Sequence, residues 1–174
     1  LLLFALIAVF QAGCSSNYLS TSSETNVDLR GYWEIERVSS DDVRKLMEKE
    51  SDNADRSTNL RNEIQRLLRG SGIALVRQEF GVLSADSMSI EADQFSFGFD
   101  YEPGIYRDVS LGWKERGIWK VYSGWDSDVF TVESTSSDIR VVERYLMEVD
   151  EKLIVDFMVR VDGNNVELKR VFKR

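Results

Sequence analysis

Apolar and polar residues run through the chain in two rhythms. In Gly31-Tyr32-Trp33-Glu34-Ile35-Glu36-Arg37-Val38 they alternate, with Trp33 and Ile35 on one side and Glu34 and Glu36 on the other, which predicts a half-buried strand. The rhythm then lengthens. Ser39-Ser40-Asp41-Asp42 supplies capping oxygens and first-turn carboxylates for a short helix carrying Val43, Leu46 and Met47. Leu60, Ile64, Leu67 and Leu68 fall at i, i+4, i+7 and i+8, the apolar stripe of a second helix stopped by Gly70. After Gly72 the period of two returns and predicts strands over Ile73 to Phe80, Met88 to Glu91, Gln94 to Phe99, Ile105 to Trp113, Gly117 to Ser123, Val129 to Glu133, Ile139 to Val149, Lys152 to Val161 and Val166 to Lys173. Asp162-Gly163-Asn164 is a strong hairpin signal and Asp150-Glu151 a weaker one.

Strands joined in sequence by tight turns predict an up-and-down antiparallel sheet that closes on itself to remove its edges. The expected fold is therefore mainly β, a barrel of eight to ten strands with two short helices inserted after the first strand. A β-sandwich or half-open sheet with a helical insertion is the competing architecture. Alternation assigns an interior set: Trp33, Ile35, Phe95, Phe97, Phe99, Ile105, Val109, Leu111, Trp113, Trp119, Val121, Phe130, Val132, Val141, Tyr145, Met147, Leu153, Val155, Phe157, Val159, Leu168 and Phe172. Large side chains of this kind can fill a small barrel or line a cavity, and the pattern does not choose. Arg37, Arg107, Glu143 and Arg170 intrude on these apolar faces. An unpaired buried charge is costly, so each must reach solvent, an opposite charge, a π-face or a bound ion.

The N-terminal stretch obeys neither rhythm. Leu1 to Phe10 is an unbroken apolar run, too short for the roughly 20 residues that span a bilayer, and reads as a signal-peptide core whose start is clipped. Gln11-Ala12-Gly13-Cys14-Ser15-Ser16 follows, and small residues at the two positions before a cysteine resemble the lipobox of bacterial lipoprotein precursors, with Gln11 where an aliphatic residue is usual. The resemblance implies that Cys14 is acylated, becomes the first residue after cleavage and anchors the chain to a membrane; Ser15 after it implies the outer membrane, facing the periplasm. Residues 15 to 28 are rich in Ser and Thr and read as a flexible tether that lets the domain stand off the membrane. The expected organisation is signal peptide 1–13, lipidated Cys14 with linker to 28, and barrel domain 29–174.

Composition narrows the chemistry. The 174 residues include no histidine and one cysteine, which excludes Ser-His-Asp and Cys-His catalysis, histidine-ligated metal, cysteine zinc sites and an intrachain disulfide. A net charge of -8 opposes long-range attraction to nucleic acid or to an anionic membrane surface. Asp126-Ser127-Asp128 lacks the remaining ligands of a calcium loop and reads as a hairpin turn, and Gly70-Ser71-Gly72 lacks the Gly-Lys-Ser/Thr of a phosphate loop. No nucleophile, base and orienter stand together, so no enzyme, metal or cofactor is expected.

Gly31-x-Trp33 on the first strand, with Arg170 on the last, resembles the calycin superfamily of lipocalins, fatty-acid-binding proteins and related barrels. That resemblance implies a Trp33 packed at one barrel end beneath Arg170. The helix pair after the first strand resembles the fatty-acid-binding branch, and Arg170-Val171-Phe172 is similar to its terminal Arg-x-Tyr carboxylate clamp, with Phe172 in place of Tyr. The lipobox points to bacterial lipocalin-like lipoproteins. Together they imply a membrane-anchored barrel binding a fatty acid or other small hydrophobic or amphipathic molecule. Trp33, Phe97, Trp113, Trp119, Tyr145, Phe157 and Phe172 would line the site, and Arg107 or Arg170 would neutralise an anionic head. The alternative is an interaction lipoprotein with a filled barrel that docks an envelope protein.

Overall fold

The computed structural model describes residues 19–22, 27–45, 72–148, 151–161 and 164–174. The period-two stretches become ten strands: β1 (Gly31–Ile35), β2 (Ser87–Ala92), β3 (Ser96–Glu102), β4 (Ile105–Ser110), β5 (Gly112–Arg116), β6 (Trp119–Asp126), β7 (Val129–Ser136), β8 (Ile139–Met147), β9 (Lys152–Val161) and β10 (Asn164–Lys173). They form one antiparallel sheet in the order β4-β3-β2-β1-β10-β9-β8-β7-β6-β5. The sheet curls into a nearly closed barrel with a seam between β4 and β5. At that seam the Ser123 hydroxyl of β6 donates to the Ser110 carbonyl of β4 at 2.7 Å.

Turn chemistry fixes the register. The pairs Arg116 with Trp119, Asp126 with Val129 and Ser136 with Ile139 leave two-residue connections. Their first residues, Gly117, Ser127 and Ser137, all have positive φ, as hairpins of this length demand. Asp126-Ser127-Asp128 is thus a hairpin turn, as its sequence predicts. Val161 pairs with Asn164 across the expected hairpin, whose residues 162 and 163 lie outside the described residues.

Between β1 and β2 the chain is helical at 43–45 and at 72–79. The Lys45 N–H donates to the Asp42 carboxylate at 3.2 Å, the N-cap bond foreseen from the Ser-Ser-Asp-Asp run. The stretch 72–79 corrects the strand expected over Ile73 to Phe80. Ile73, Val76 and Phe80 are spaced i, i+3 and i+7, so a helix turns all three toward the barrel, and Val76 and Phe80 are buried there. Leu1 to Phe10, Cys14, Leu46, Met47, the stripe from Leu60 to Leu68, Gly70, Ser71 and Asp150 lie outside the described residues.

A second correction falls at the seam. The single strand expected over Ile105 to Trp113 is two strands, broken at Leu111 and turned by Gly112 at φ +82. The break shifts the inward phase by one residue: Arg107 and Val109 of β4 face inward, whereas β5 pairs Trp113 with the outward-facing Tyr122. Trp113, expected inside, is 68% exposed. Phe95, also expected inside, is equally exposed because it sits in a turn before β3, where the Asp93 carboxylate accepts the Phe95 and Ser96 N–H groups at 2.7 and 2.8 Å. Ile35, Ile105, Leu111 and Met147 are half-buried at the core's edge, and the rest of the expected interior set is buried.

Candidate functional site

The barrel centre holds a polar cluster inside an aromatic column. Arg107 of β4 pairs with Glu143 of β8, at 3% and 0% exposure, and donates more weakly to the Ser134 hydroxyl at 3.4 Å. Its guanidinium also lies 4.8 Å from the ring centre of Phe80, which the helix 72–79 delivers into the barrel. The Tyr145 hydroxyl donates to the second oxygen of Glu143 at 2.9 Å and meets the Tyr101 hydroxyl at 3.1 Å. Burial and the nearby Glu143 carboxylate push both phenols above their ordinary range. Burial is the strongest single influence on the Arg107 charge and works against it, but the Glu143 carboxylate together with the Tyr101 and Tyr145 oxygens raises its pKa overall.

These contacts cross the barrel. Around the ring of ten strands β3 and β8 are five places apart in either direction, so they stand opposite each other. Phe99 of β3 nevertheless lies 5.0 Å from Tyr145 of β8, and Phe97 of β3 lies 4.2 Å from Phe130 of β7. Phe80 fills the space between Trp119, at 5.2 Å, and Phe157, at 5.7 Å. Among the described residues the two walls meet through side chains rather than across open space.

The end of the barrel where β1 begins is closed by Trp33, fully buried, with its indole N–H donating to the Leu29 carbonyl at 3.0 Å. The arginine over that ring is Arg174, 4.8 Å from its centre, not the expected Arg170. The register explains this: Ile35 pairs with Phe172 and Glu34 with Lys173, so residue 174 continues the ladder to Trp33. Gly31, at φ +133, lies under the Arg174 side chain, 3.7 Å from where a methyl group would stand. Arg170 instead points to the other end of β1, donating to the Ala85 carbonyl at 2.6 Å, with no carboxylate paired to it among the described residues. Burial pulls its pKa down.

Arg170 lines a polar cleft of about 410 Å³ with Arg37, Ser40, Ser84 and Asp86. Arg37 itself is exposed and held by Asp86 at 2.7 Å. A larger cleft, of about 690 Å³, opens at the Trp33 end, floored by Phe97 and Trp125 and walled by Val27, Leu29, Ala92 and Leu111, with Thr21, Ser22, Asp28, Arg30, Asp93 and Gln94 at its rim. The buried Trp125 indole N–H has no acceptor among the described residues. Among the described residues no group of three or more Cys, Asp or Glu side chains converges as metal ligands.

Of the residues expected to line a site, Trp33, Phe97, Trp119, Tyr145, Phe157 and Phe172 are all buried, but only Phe97 reaches the larger cleft. Trp113 lies outside the barrel, and Arg107 is neutralised by Glu143. Sequence reasoning missed Tyr101 and Trp125. Tyr101 continues the stripe of Phe97 and Phe99, and Trp125 continues that of Trp119 and Val121, so a longer reading of each alternation would have found them.

No protein-family model matches the chain, and no curated protein sequence is similar to it. Solved structures are similar to it. Wild-type fluorescent protein UnaG has a TM-score of 0.49 at 12% identity, covering 84% of this chain and 96% of that one. Fatty-acid-binding protein 1 of Echinococcus granulosus gives the same TM-score, identity and coverage. The calycin-like architecture rests on the strand order, the seam and the helical insertion described above.

Proposed function

We propose that this chain is a lipid-anchored, non-catalytic binding protein of the bacterial cell envelope, held by acylated Cys14 on the periplasmic face of the outer membrane. Its ligand is a small hydrophobic or amphipathic molecule, such as a fatty acid or lipid fragment. The ligand sits in the cleft at the Trp33 end, not in the barrel centre. The observation that carries this reading is the cleft itself: about 690 Å³, floored by Phe97 and Trp125, and within the size range of small-molecule sites. Apolar burial drives binding, and a ligand oxygen would accept from the Trp125 N–H, which has no acceptor among the described residues. Arg107, already paired, and Arg170, in a separate cleft at the other end of β1, take no part in holding an anionic head there.

The packed centre favours a second reading, in which the barrel is a filled scaffold whose outer surface docks an envelope protein. Native mass spectrometry of the chain beginning after Cys14, exposed to a panel of fatty acids and phospholipids, separates the two. One bound amphiphile, lost when Ala92→Trp fills the cleft, is the expected result. A ligand-free mass against the whole panel overturns the carrier reading and leaves the scaffold.

A further inference from the structure

Residues 19–21 lie along the barrel wall at one place. Ser20 and Trp125 exchange both backbone hydrogen bonds at 2.8 Å, so the segment takes the place beside β6 that β5 vacates beyond Gly112. Leu19 is buried, and the Tyr122 hydroxyl donates to its carbonyl at 3.2 Å. Gly124 makes room for the crossing, since a methyl group there would stand 2.6 Å from the Ser20 carbonyl oxygen. Thr21 reaches Gly112, 3.5 Å from where a methyl group would stand.

Trp113 stands next to these contacts. It follows Gly112 directly, and its ring stacks on Tyr122 with centres 4.6 Å apart, yet it is 68% exposed. Phe95, equally exposed, is close by, because its carbonyl accepts the N–H of Leu111 at 2.8 Å, two residues before Trp113. Two large aromatic side chains thus face solvent beside the point where the segment from Cys14 arrives. Four residues separate Cys14 from Leu19, and even fully extended the five steps between them reach no further than about 18 Å.

We infer that Trp113, with Phe95 beside it, contacts the headgroup layer of the bilayer that carries the Cys14 acyl anchor, fixing how the barrel stands on the membrane. The inference rests on the lipid-anchored reading. A tether this short keeps the patch at high effective concentration over the lipid, so a contact too weak to bind alone suffices. Tryptophan is suited to the place, its ring being apolar and its N–H able to meet lipid oxygens. With a net charge of -8 the contact is aromatic burial rather than attraction to anionic lipid, so added salt leaves it in place.

The protein supplies its own probe, since Trp33, Trp119 and Trp125 are buried and Trp113 is the exposed tryptophan of the four. The acylated protein, purified from bacterial membranes, is placed in vesicles of phosphatidylethanolamine and phosphatidylglycerol with brominated acyl chains. Quenching of tryptophan emission that disappears in Trp113→Phe, which keeps the stack on Tyr122, is the expected result. Flotation with the vesicles but no quenching overturns the contact and leaves the anchor standing. A mass showing Cys14 without acyl chains overturns both.

Discussion

Tyr101 and Tyr145 come from strands on opposite sides of the barrel and meet hydroxyl to hydroxyl at 3.1 Å. That distance marks how tightly the centre is closed. Phenols buried so deeply are kept neutral by desolvation, with the Glu143 carboxylate acting in the same direction. Their folded pKa values lie above the ordinary 10.0, so the stability they contribute is complete below about pH 10 and declines as the pH rises beyond it. An alkaline titration followed by phenolate absorbance reads this directly. The last two phenols should ionise only together with loss of near-ultraviolet circular dichroism. Ionisation of every tyrosine in one step before unfolding would contradict the buried pair.

The ion pair beneath them makes a sharper prediction. Removing one partner leaves the other charged in a dry interior, so Arg107→Met or Glu143→Leu alone should cost about 3–5 kcal/mol in urea unfolding. The double variant should recover most of that loss, because it leaves no unpaired charge in the interior. Additive losses in the double variant would mean that the pair is not the unit the geometry describes.

At the barrel end, Arg174 over Trp33 is a partly exposed cation–π contact, and Arg174→Ala should lower stability by only about 0.5–1 kcal/mol. Gly31→Ala should cost more, on the order of 1–3 kcal/mol, since an L side chain is strained at φ +133. Thermal unfolding of the two variants checks the order. A larger loss from Arg174→Ala would show that the arginine, rather than the glycine conformation, holds the first strand.

Gly124→Val should release residues 19–21 without unfolding the barrel. The new side chain collides with the Ser20 backbone, on the outer edge of β6 and away from the core. Hydrogen exchange reads this directly: the Ser20 and Trp125 amides, bonded to each other's carbonyls, should lose protection while the paired amides of β8 and β9 keep theirs. Unchanged protection at Ser20 would mean that the segment is not held by this contact.

Much of the architecture was legible as periodicity. β9 runs from Lys152 to Val161 as its alternation predicts, and the stripe through Phe97 and Phe99 faces inward as read. Alternation carries that information because a strand buried on one face must repeat every second residue. The same rule failed at Leu111-Gly112. A break of one residue leaves every residue type in place and reverses which side each faces, so Trp113 was read as interior and is exposed. It failed also over residues 72–79, where a short apolar run fits helix and strand alike and only packing against the barrel decides.

By itself, then, the sequence determined the mainly β class, the helical insertion after β1, the tight turns, and the absence of histidine chemistry. Each of these follows from local composition or spacing. Pairing of charges does not, because it depends on strands far apart in the chain that the barrel brings face to face. Arg107 and Glu143 lie 36 residues apart. Either Arg107 or Arg170 could have met Glu143, and the strand order chose the first. The offset between β1 and β10 likewise set Arg174, not Arg170, over Trp33. Whether the aromatic side chains enclose space or fill it was a matter of how closely opposite walls approach, and only the tertiary structure fixes that distance.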